Sequence, residues 1–174
     1  MSEEEVSEAT NEMQNGNVPG LDGFNVDFFK ACWETVKHDI LEVVEDSRKS
    51  KKILSALNAS FKALIPKHEN AMTREGFKPI ALCNVVYKII SKVIANILKP
   101  LLPSLILEEQ TGYVEGRQIL NNIIQAHEVI HSLKSNKQAG TIIQLDLAKD
   151  YDKLSWSYVR AILKAFGFDR NWIR

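Results

Sequence analysis

The chain has 174 residues, 45% of them hydrophobic, and a formal net charge of zero. This length suits one globular domain with an apolar core. No run approaches the ~18 consecutive apolar residues of a membrane-spanning helix, which favours a soluble protein. The acidic start at residues 2–5 is unlike a secretory signal. We therefore expect a soluble intracellular protein, nuclear or cytoplasmic, whose Cys32 and Cys83 are reduced core thiols.

The charges are unevenly divided along the chain. Residues 1–47 hold 12 Asp and Glu against 2 Lys, whereas residues 48–174 hold 10 acidic and 20 basic residues. A basic body of this kind can bind a polyanion such as nucleic acid. The alternative is that the lysines only solvate helix faces.

Helical periodicity dominates the first half. We predict a helix from Glu3 to about Gln14, a turn-rich segment over residues 15–23, and a helix from Asn25 that ends in the basic residues 49–52. Phe61–Ile65 reads as a short strand ending at Pro66. A polar stretch over residues 68–78 then leads to a second apolar segment near Ile80.

The second half contains three clear apolar patterns. Residues 86–101 and about 120–133 predict helices, and residues 155–166 predict a third that stops at Gly167. The β-branched run at residues 141–147 predicts a central strand. The fold class is therefore α+β. Because a lone strand is unstable, its neighbours must be the segments near Phe61 and Ile80 or lie beyond Arg174.

Asp146 is the strongest chemical signal, because it ends an apolar strand and has two more carboxylates within six residues. A buried carboxylate needs a cation or strong hydrogen-bond donors. Magnesium suits such oxygen ligands, and backbone amides are the alternative partners. Asp152, just before a predicted helix, has the simpler interpretation of a cap or first-turn residue.

Six segments resemble, in order, motifs of LINE-type (non-LTR retrotransposon) reverse transcriptases. Residues 145–156, L-D-L-A-K-D-Y-D-K-L-S-W, are similar to the family's L-D-x-x-K-A-[FY]-D-x-[VL]-x-W. The other five are P-G-L-D-G-F (19–24), A-L-I-P-K (63–67), F-K-P-I-A-L-C-N (77–84), Tyr87 to Asn96, and Q-T-G-Y-V-E-G-R (110–117). They include the motif positions Asp22, Gln110, Gly116, Arg117 and Asp152.

The resemblance implies the fingers and partial palm of a right-hand polymerase, with an incomplete antiparallel palm sheet. It implies a helical lead-in over residues 1–17, fingers over 18–138 and the start of the palm over 139–174. The implied activity is RNA-templated DNA synthesis from deoxynucleoside triphosphates on a primer–template, with Mg²⁺.

The resemblance also assigns site residues. Asp146 matches the first catalytic aspartate, and the Leu147 carbonyl would be a second metal ligand. Tyr151 matches the aromatic position under the incoming sugar, with an aromatic core residue as the alternative. Lys67 and Lys78 match basic residues that contact the triphosphate, with solvated surface lysines as the alternative.

Three departures argue against activity of this chain by itself. Lys78 stands where the family usually has arginine, which removes a bidentate fork for phosphate. Asp150 stands where the family usually has alanine and adds a charge beside the metal. The family's paired aspartates, [FY]-x-D-D, do not occur in the 174 residues. We therefore expect a truncated, inactive copy, or a remnant that only binds nucleic acid, with exposed apolar faces and poor solubility.

His127, Glu128 and His131 form a literal H-E-x-x-H, the pattern of zinc hydrolases. No histidine or glutamate follows His131 to supply a third ligand, which leaves only aspartates for that role. The zinc hydrolase is a minor alternative. An amphipathic helix with polar histidines explains the same residues.

Overall fold

The computed structural model describes residues 1–143, 145 and 153–173, and it divides into two compact units, residues 1–98 and 99–174. This boundary falls inside the segment 18–138 that was predicted as fingers. The division into a lead-in, fingers and palm start remains a prediction.

The first unit begins with helix α1, Glu3–Asn11. Its start is fixed by a capping box, in which the Ser2 Oγ accepts from the Glu5 N–H (3.2 Å) and the Glu5 carboxylate accepts from the Ser2 N–H (2.7 Å). Val6 and Ala9 are fully buried. The predicted lead-in is therefore a helix that contributes to the core.

The helix predicted from Asn25 is two helices, α2 (Val26–Ala31) and α3 (Trp33–Ser50). Asn25 caps α2 by accepting from the Phe28 N–H (2.9 Å). Cys32 leaves helical geometry at φ −100° and ψ 16°, which separates the two. The apolar periodicity continues across this break, so the sequence pattern did not reveal it.

A short helix, α4 (Ser55–Asn58), precedes an antiparallel ribbon of β1 (Ser60–Pro66) and β2 (Phe77–Cys83). The register runs from Ser60 opposite Cys83 to Pro66 opposite Phe77. The strand predicted at Phe61–Ile65 is confirmed, and its partner is the apolar segment near Ile80, whose pairing the sequence left open. Most residues of the ribbon are exposed on both faces.

Helix α5, Val85–Leu98, completes the first unit and packs against α1. Its buried residues form the centre of the apolar core. The core cluster consists of Val6, Ala9, Val26, Phe29, Ile40, Val44, Val85, Ile89, Ile90 and Val93. The helix predicted over residues 86–101 is confirmed as far as Leu98. Ile89, Ile90 and Val93 of its predicted apolar face are buried, whereas Ile94 and Leu101 are exposed.

The second unit opens with a 3₁₀ turn, Lys99–Leu101, and α6, Leu102–Leu105. It continues with α7 (Ile119–Ser135) and α8 (Trp156–Ala165), both close to where helices were predicted. The described residues end with a short helix that was not predicted, α9 (Arg170–Ile173). Gly167 has φ +84°, as expected of a residue that stops α8.

The strand predicted at residues 141–147 is not found where the structure describes this segment. Thr141–Ile143 and Leu145 are outside any strand, and Leu145 is 83% exposed. A strand requires a neighbour for its backbone hydrogen bonds, and β1 and β2 pair only with each other among the described residues. The other residues of the segment lie outside the described part.

The described part thus combines helices with one small antiparallel sheet, in agreement with the α+β class. Within it, no helix combines the length and apolar character needed to cross a membrane.

Candidate functional site

Lys67 and Lys78 lie on one face of the β ribbon. Lys78 is opposite Ile65, and the Lys67 N–H donates to the Gly76 carbonyl (2.8 Å), which extends the pairing by one residue beyond β1. Since residues two apart on a strand share a face, Lys67 and Lys78 are diagonal neighbours. The ribbon therefore places together two lysines that are separated by ten residues in sequence.

The two side chains are exposed, and neither forms an ion pair with any carboxylate of the described residues. Neighbouring like charges on one face of a ribbon repel each other. An anion bound between them would relieve this repulsion. Two exposed ammonium groups on one face can bind an anion such as phosphate.

Gly76 closes the loop that joins the strands. A Cβ at this position would lie 2.9 Å from the Ala71 Cβ, which is closer than carbon atoms pack. The Gly76 N–H donates to the Thr73 carbonyl (3.0 Å) within the turn Arg74–Gly76. Close backbone approach at this glycine fixes the loop, and with it the position of Lys67.

Asp22 orders its own loop. Its Oδ1 accepts from the Phe24 N–H (3.2 Å), a local turn hydrogen bond typical of aspartate. Gly23, between them, has φ +78°. The described contacts of Asp22 therefore stabilise the conformation of this loop.

Asn84, the last residue of the motif at 77–84, connects this loop to two other segments, and sequence reasoning assigned it no role. Its Oδ1 accepts from the Asp22 N–H (3.4 Å) and its Nδ2 donates to the Ala56 carbonyl (3.1 Å). Asn84 is 4% exposed, and a Cβ on Gly20 would lie 2.3 Å from its Oδ1. The available signal was a polar residue between an apolar strand and an apolar helix, where a buried amide needs partners.

Arg117 has a clear structural role. Its Nη1 donates to the carbonyls of Leu107 and Gln110, the latter at 2.8 Å, and its Nη2 donates to those of Pro103 and Ile106, both at 3.1 Å. Four backbone acceptors thus share one guanidinium. The planar arrangement of arginine donors makes this possible.

The other two positions of this motif support the same loop. Gln110 supplies one of the four carbonyls, and its side chain donates to the Gly112 carbonyl over a long distance (3.5 Å). Gly116 has φ +77° with open space around its Cα, so its backbone conformation explains the glycine. None of the described contacts of Gln110, Gly116 or Arg117 involves a carboxylate or another lysine or arginine side chain.

Five residues of the motif at 145–156 that the sequence analysis discussed lie outside the described part of the chain. What was predicted of them stays a prediction. They are Asp146, Leu147, Asp150, Tyr151 and Asp152. After this segment, the Ser155 Oγ accepts from the Tyr158 N–H (3.2 Å) and caps α8.

The H-E-x-x-H residues His127, Glu128 and His131 are exposed on α7. Among the described residues, no group of three or more His, Cys, Asp or Glu side chains is arranged to hold a metal ion. Their positions agree with the amphipathic-helix interpretation.

Comparison with known proteins identifies a family. Residues 65–174 match the profile described as reverse transcriptase (RNA-dependent DNA polymerase). The chain is also similar to the transposon TX1 uncharacterized 149 kDa protein of Xenopus laevis, with 26% identity over 170 residues. This alignment covers 98% of the chain and 13% of the Xenopus protein, so the chain spans a small part of its relative.

Proposed function

Because this chain belongs to the reverse transcriptase (RNA-dependent DNA polymerase) family and is part of a non-LTR retrotransposon enzyme, we propose that Lys67 and Lys78 bind the triphosphate of an incoming deoxynucleotide. Their shared face on the β ribbon is the observation that carries this proposal. Both residues lie inside the matched range 65–174.

Charge and geometry support this use of the ribbon. Lysine ammonium groups bind phosphate as point charges with three donors each. Two of them, side by side and without a carboxylate partner in the described residues, can contact neighbouring phosphates of one chain. Lys78 holds the phosphate less directionally than an arginine would.

The remaining site residues are proposed from the sequence. The Asp146 carboxylate and the Leu147 carbonyl are hard oxygen donors, so the donor set fits Mg²⁺. When bound, this ion would stabilise the charge that develops during phosphoryl transfer. Tyr151 would pack beneath the sugar of the nucleotide, and Asp152 would order the chain that follows. No Asp-Asp pair occurs in the 174 residues, so we propose that this chain does not catalyse synthesis by itself.

The partners follow from the same family. An RNA template and a DNA primer would lie along a right hand whose fingers are residues 18–138 and whose palm begins at 139–174. Residues 1–17 would precede the fingers as a helical lead-in. The acidic first quarter and basic remainder of the sequence agree with nucleic acid contacts after residue 47.

A nucleotide-binding titration tests the proposal. Deoxynucleoside triphosphate binding to the 174-residue chain is measured by fluorescence with Mg²⁺ present, for the wild type and for Lys67→Gln/Lys78→Gln. Loss of two charge-assisted contacts, at roughly 1.5–3 kcal/mol each, is expected to weaken binding by about a hundredfold or more.

Lys62→Gln provides the matched control. Lys62 lies opposite Ala81, on the other face of the same ribbon, so this substitution should leave nucleotide affinity unchanged. Equal losses in Lys62→Gln and in the double variant would refute a site on one face.

A further inference from the structure

Two histidines on α7 have no part in the nucleotide site. His127 and His131 both lie inside this helix, which spans Ile119–Ser135. The Asn136 N–H still donates to the Ser132 carbonyl (3.0 Å), so helical hydrogen bonding continues beyond His131. The backbone that carries both histidines is therefore regular helix.

Helical geometry places the two imidazoles on the same side of α7. Four residues advance a helix by about 6 Å and leave His131 about 40° around the axis from His127. Residues at this spacing have Cβ atoms about 5–6 Å apart. Two imidazole rings at that separation can each direct a nitrogen toward one shared ion, which is how the two histidines of H-E-x-x-H bind a metal.

Both rings are accessible to an ion from solvent. His127 and His131 are exposed, and neither forms a hydrogen bond or an ion pair with the residues that the structure describes. Histidine ligands in tight metal sites donate their second ring N–H to a protein acceptor. Here water would accept that hydrogen bond, so we expect binding that is reversible and weaker than in a buried structural site.

The charges on α7 do not oppose a bound cation. Its 17 residues include one carboxylate and one ammonium group, those of Glu128 and Lys134. These charges cancel. The carboxyl end of the helix, which carries a partial negative charge, lies one turn beyond His131 and favours a cation there.

The ligand type selects the metal. Imidazole nitrogen suits Zn²⁺, Cu²⁺ and Ni²⁺, whereas Mg²⁺ prefers oxygen ligands. A catalytic zinc site has three protein ligands. Among the described residues, no group of three or more His, Cys, Asp or Glu side chains could supply them. The pair therefore suits reversible metal binding and not hydrolysis.

We propose that His127 and His131 form a two-histidine site for Zn²⁺ on α7, with water in the remaining coordination positions. The site is separate from the lysines of the β ribbon and from the Mg²⁺ of the proposed function. It does not rest on that function, because it uses only the helix, the spacing of the histidines and their exposure.

Calorimetric titration of Zn²⁺ into the 174-residue chain, prepared without an affinity tag, tests the proposal. Each single variant, His127→Gln or His131→Gln, leaves one ligand of the pair and should weaken zinc binding by about tenfold or more. His127→Gln/His131→Gln should lose the site.

His38→Gln/His68→Gln is the matched control, since it removes the other two imidazoles of the chain. His38 lies on α3 and His68 follows β1, so neither has a histidine one helical turn away. This control should bind zinc as the wild type does. Equal losses in the two double variants would overturn the site on α7.

A second variant tests the spacing itself. His131→Gln/Ser132→His keeps the number of imidazoles but moves one of them to about 140° around the helix from His127. It should bind zinc as weakly as His131→Gln. Wild-type affinity in this variant would refute a shared ion. Circular dichroism confirms that each variant retains its helices.

Competition identifies the class of metal. Cu²⁺ should displace Zn²⁺ from the wild type, because copper has the higher affinity for nitrogen ligands, and an excess of Mg²⁺ should not displace it. Displacement by Mg²⁺ at the concentrations at which Cu²⁺ acts would show that oxygen atoms hold the ion, and would overturn the proposal.

Discussion

At the scale of single residues, the motif positions divide into two groups. Gly20, Asp22, Asn84 and Arg117 make contacts that hold loops in place. Lys67 and Lys78 are exposed and lack ion pairs within the described residues, so their charges are available to a ligand. A motif match by itself does not separate these roles, whereas hydrogen bonds and burial do.

Gly20→Ala is expected to destabilise the first unit. The added Cβ would lie 2.3 Å from the Asn84 Oδ1 and 2.5 Å from its backbone nitrogen, so one of the two loops must shift. Overpacking of this kind costs roughly 1–3 kcal/mol. Chemical denaturation measures the loss. Gly112→Ala, whose Cβ would meet nothing closer than 3.5 Å, should change stability by less than about 0.5 kcal/mol, and equal effects would contradict the account.

Arg117→Lys is expected to loosen residues 103–110. A lysine keeps the charge, but its three donors cannot satisfy four carbonyls in one plane. The free energy of local unfolding of this loop should fall by roughly 1–3 kcal/mol. Faster amide hydrogen exchange of its residues measures this change. Arg160→Lys, on the exposed surface of α8, is the control and should exchange as the wild type does.

The carboxyl group of Glu45 makes the stability of the fold depend on pH. The hydrogen bond from Arg48 lowers the pKa of the Glu45 carboxyl from 4.5 to about 2, and Lys49 contributes to the shift. Because the folded-state pKa is depressed, the stabilisation is present above pH 4.5 and is lost as the pH falls from 4.5 through about 2. An NMR titration should follow this carboxyl to a midpoint near 2, and Arg48→Gln should raise that midpoint. A midpoint near 4.5 in the wild type would rule out the pairing.

At the scale of elements, apolar patterning predicted the longer helices and β1, whereas it left the pairing of β2 open and missed the short helices α4, α6 and α9. Apolar spacing reports which face of an element is buried, and α1, α5, α7 and α8 all occur close to where it indicated. It did not show the break at Cys32, because a change in backbone angles leaves the spacing of apolar residues intact. It also predicted a strand at residues 141–147, since β-branched composition says nothing about whether a partner strand is present.

The candidate site was predictable only in part, because sequence patterns do not show which segments lie together in space. The identities of Lys67 and Lys78 came from family motifs, but their position on one face depends on the register of β1 and β2. The hydrogen bonds of Asn84 join segments that are distant in sequence. Those of Arg117 join it to the loop that precedes it in the chain. Such bonds require the tertiary structure, because any exposed loop carbonyl is a possible acceptor.

The packing of α1 against α5 predicts that α1 contributes to the stability of the first unit. Val6 is fully buried in the core cluster, so Val6→Ala should destabilise the first unit by roughly 1–3 kcal/mol. Thermal unfolding of the two variants Val6→Ala and Val18→Ala provides the comparison. Val18 is 62% exposed, and its substitution should have almost no effect. If Val6→Ala also left unfolding unchanged, the acidic amino-terminal segment would not be part of the core.

At the scale of the whole molecule, burial is concentrated in the first unit. All ten residues of the core cluster lie before residue 99. Among the described residues of the second unit, Thr111 and Val114 are the only buried ones, and α7 exposes Ile119 (65%) and Leu120 (57%). These exposed apolar side chains support the expectation of poor solubility.

The chain's place in a polymerase depends above all on the β ribbon. Family membership rests on residues 65–174, which begin within this ribbon. Of the residues that were assigned to the nucleotide or to Mg²⁺, only Lys67 and Lys78 lie in the part of the chain that the structure describes. Their use by a nucleotide is therefore the central claim.

Protection of lysines from acetylation, read by mass spectrometry of the unaltered chain, tests this claim most directly. With Mg²⁺ and a saturating deoxynucleoside triphosphate, acetylation of Lys67 and Lys78 should fall together, while Lys62 on the opposite face continues to react. Unchanged acetylation of Lys67 and Lys78, or equal protection of Lys62, would contradict a nucleotide site on this face of the ribbon.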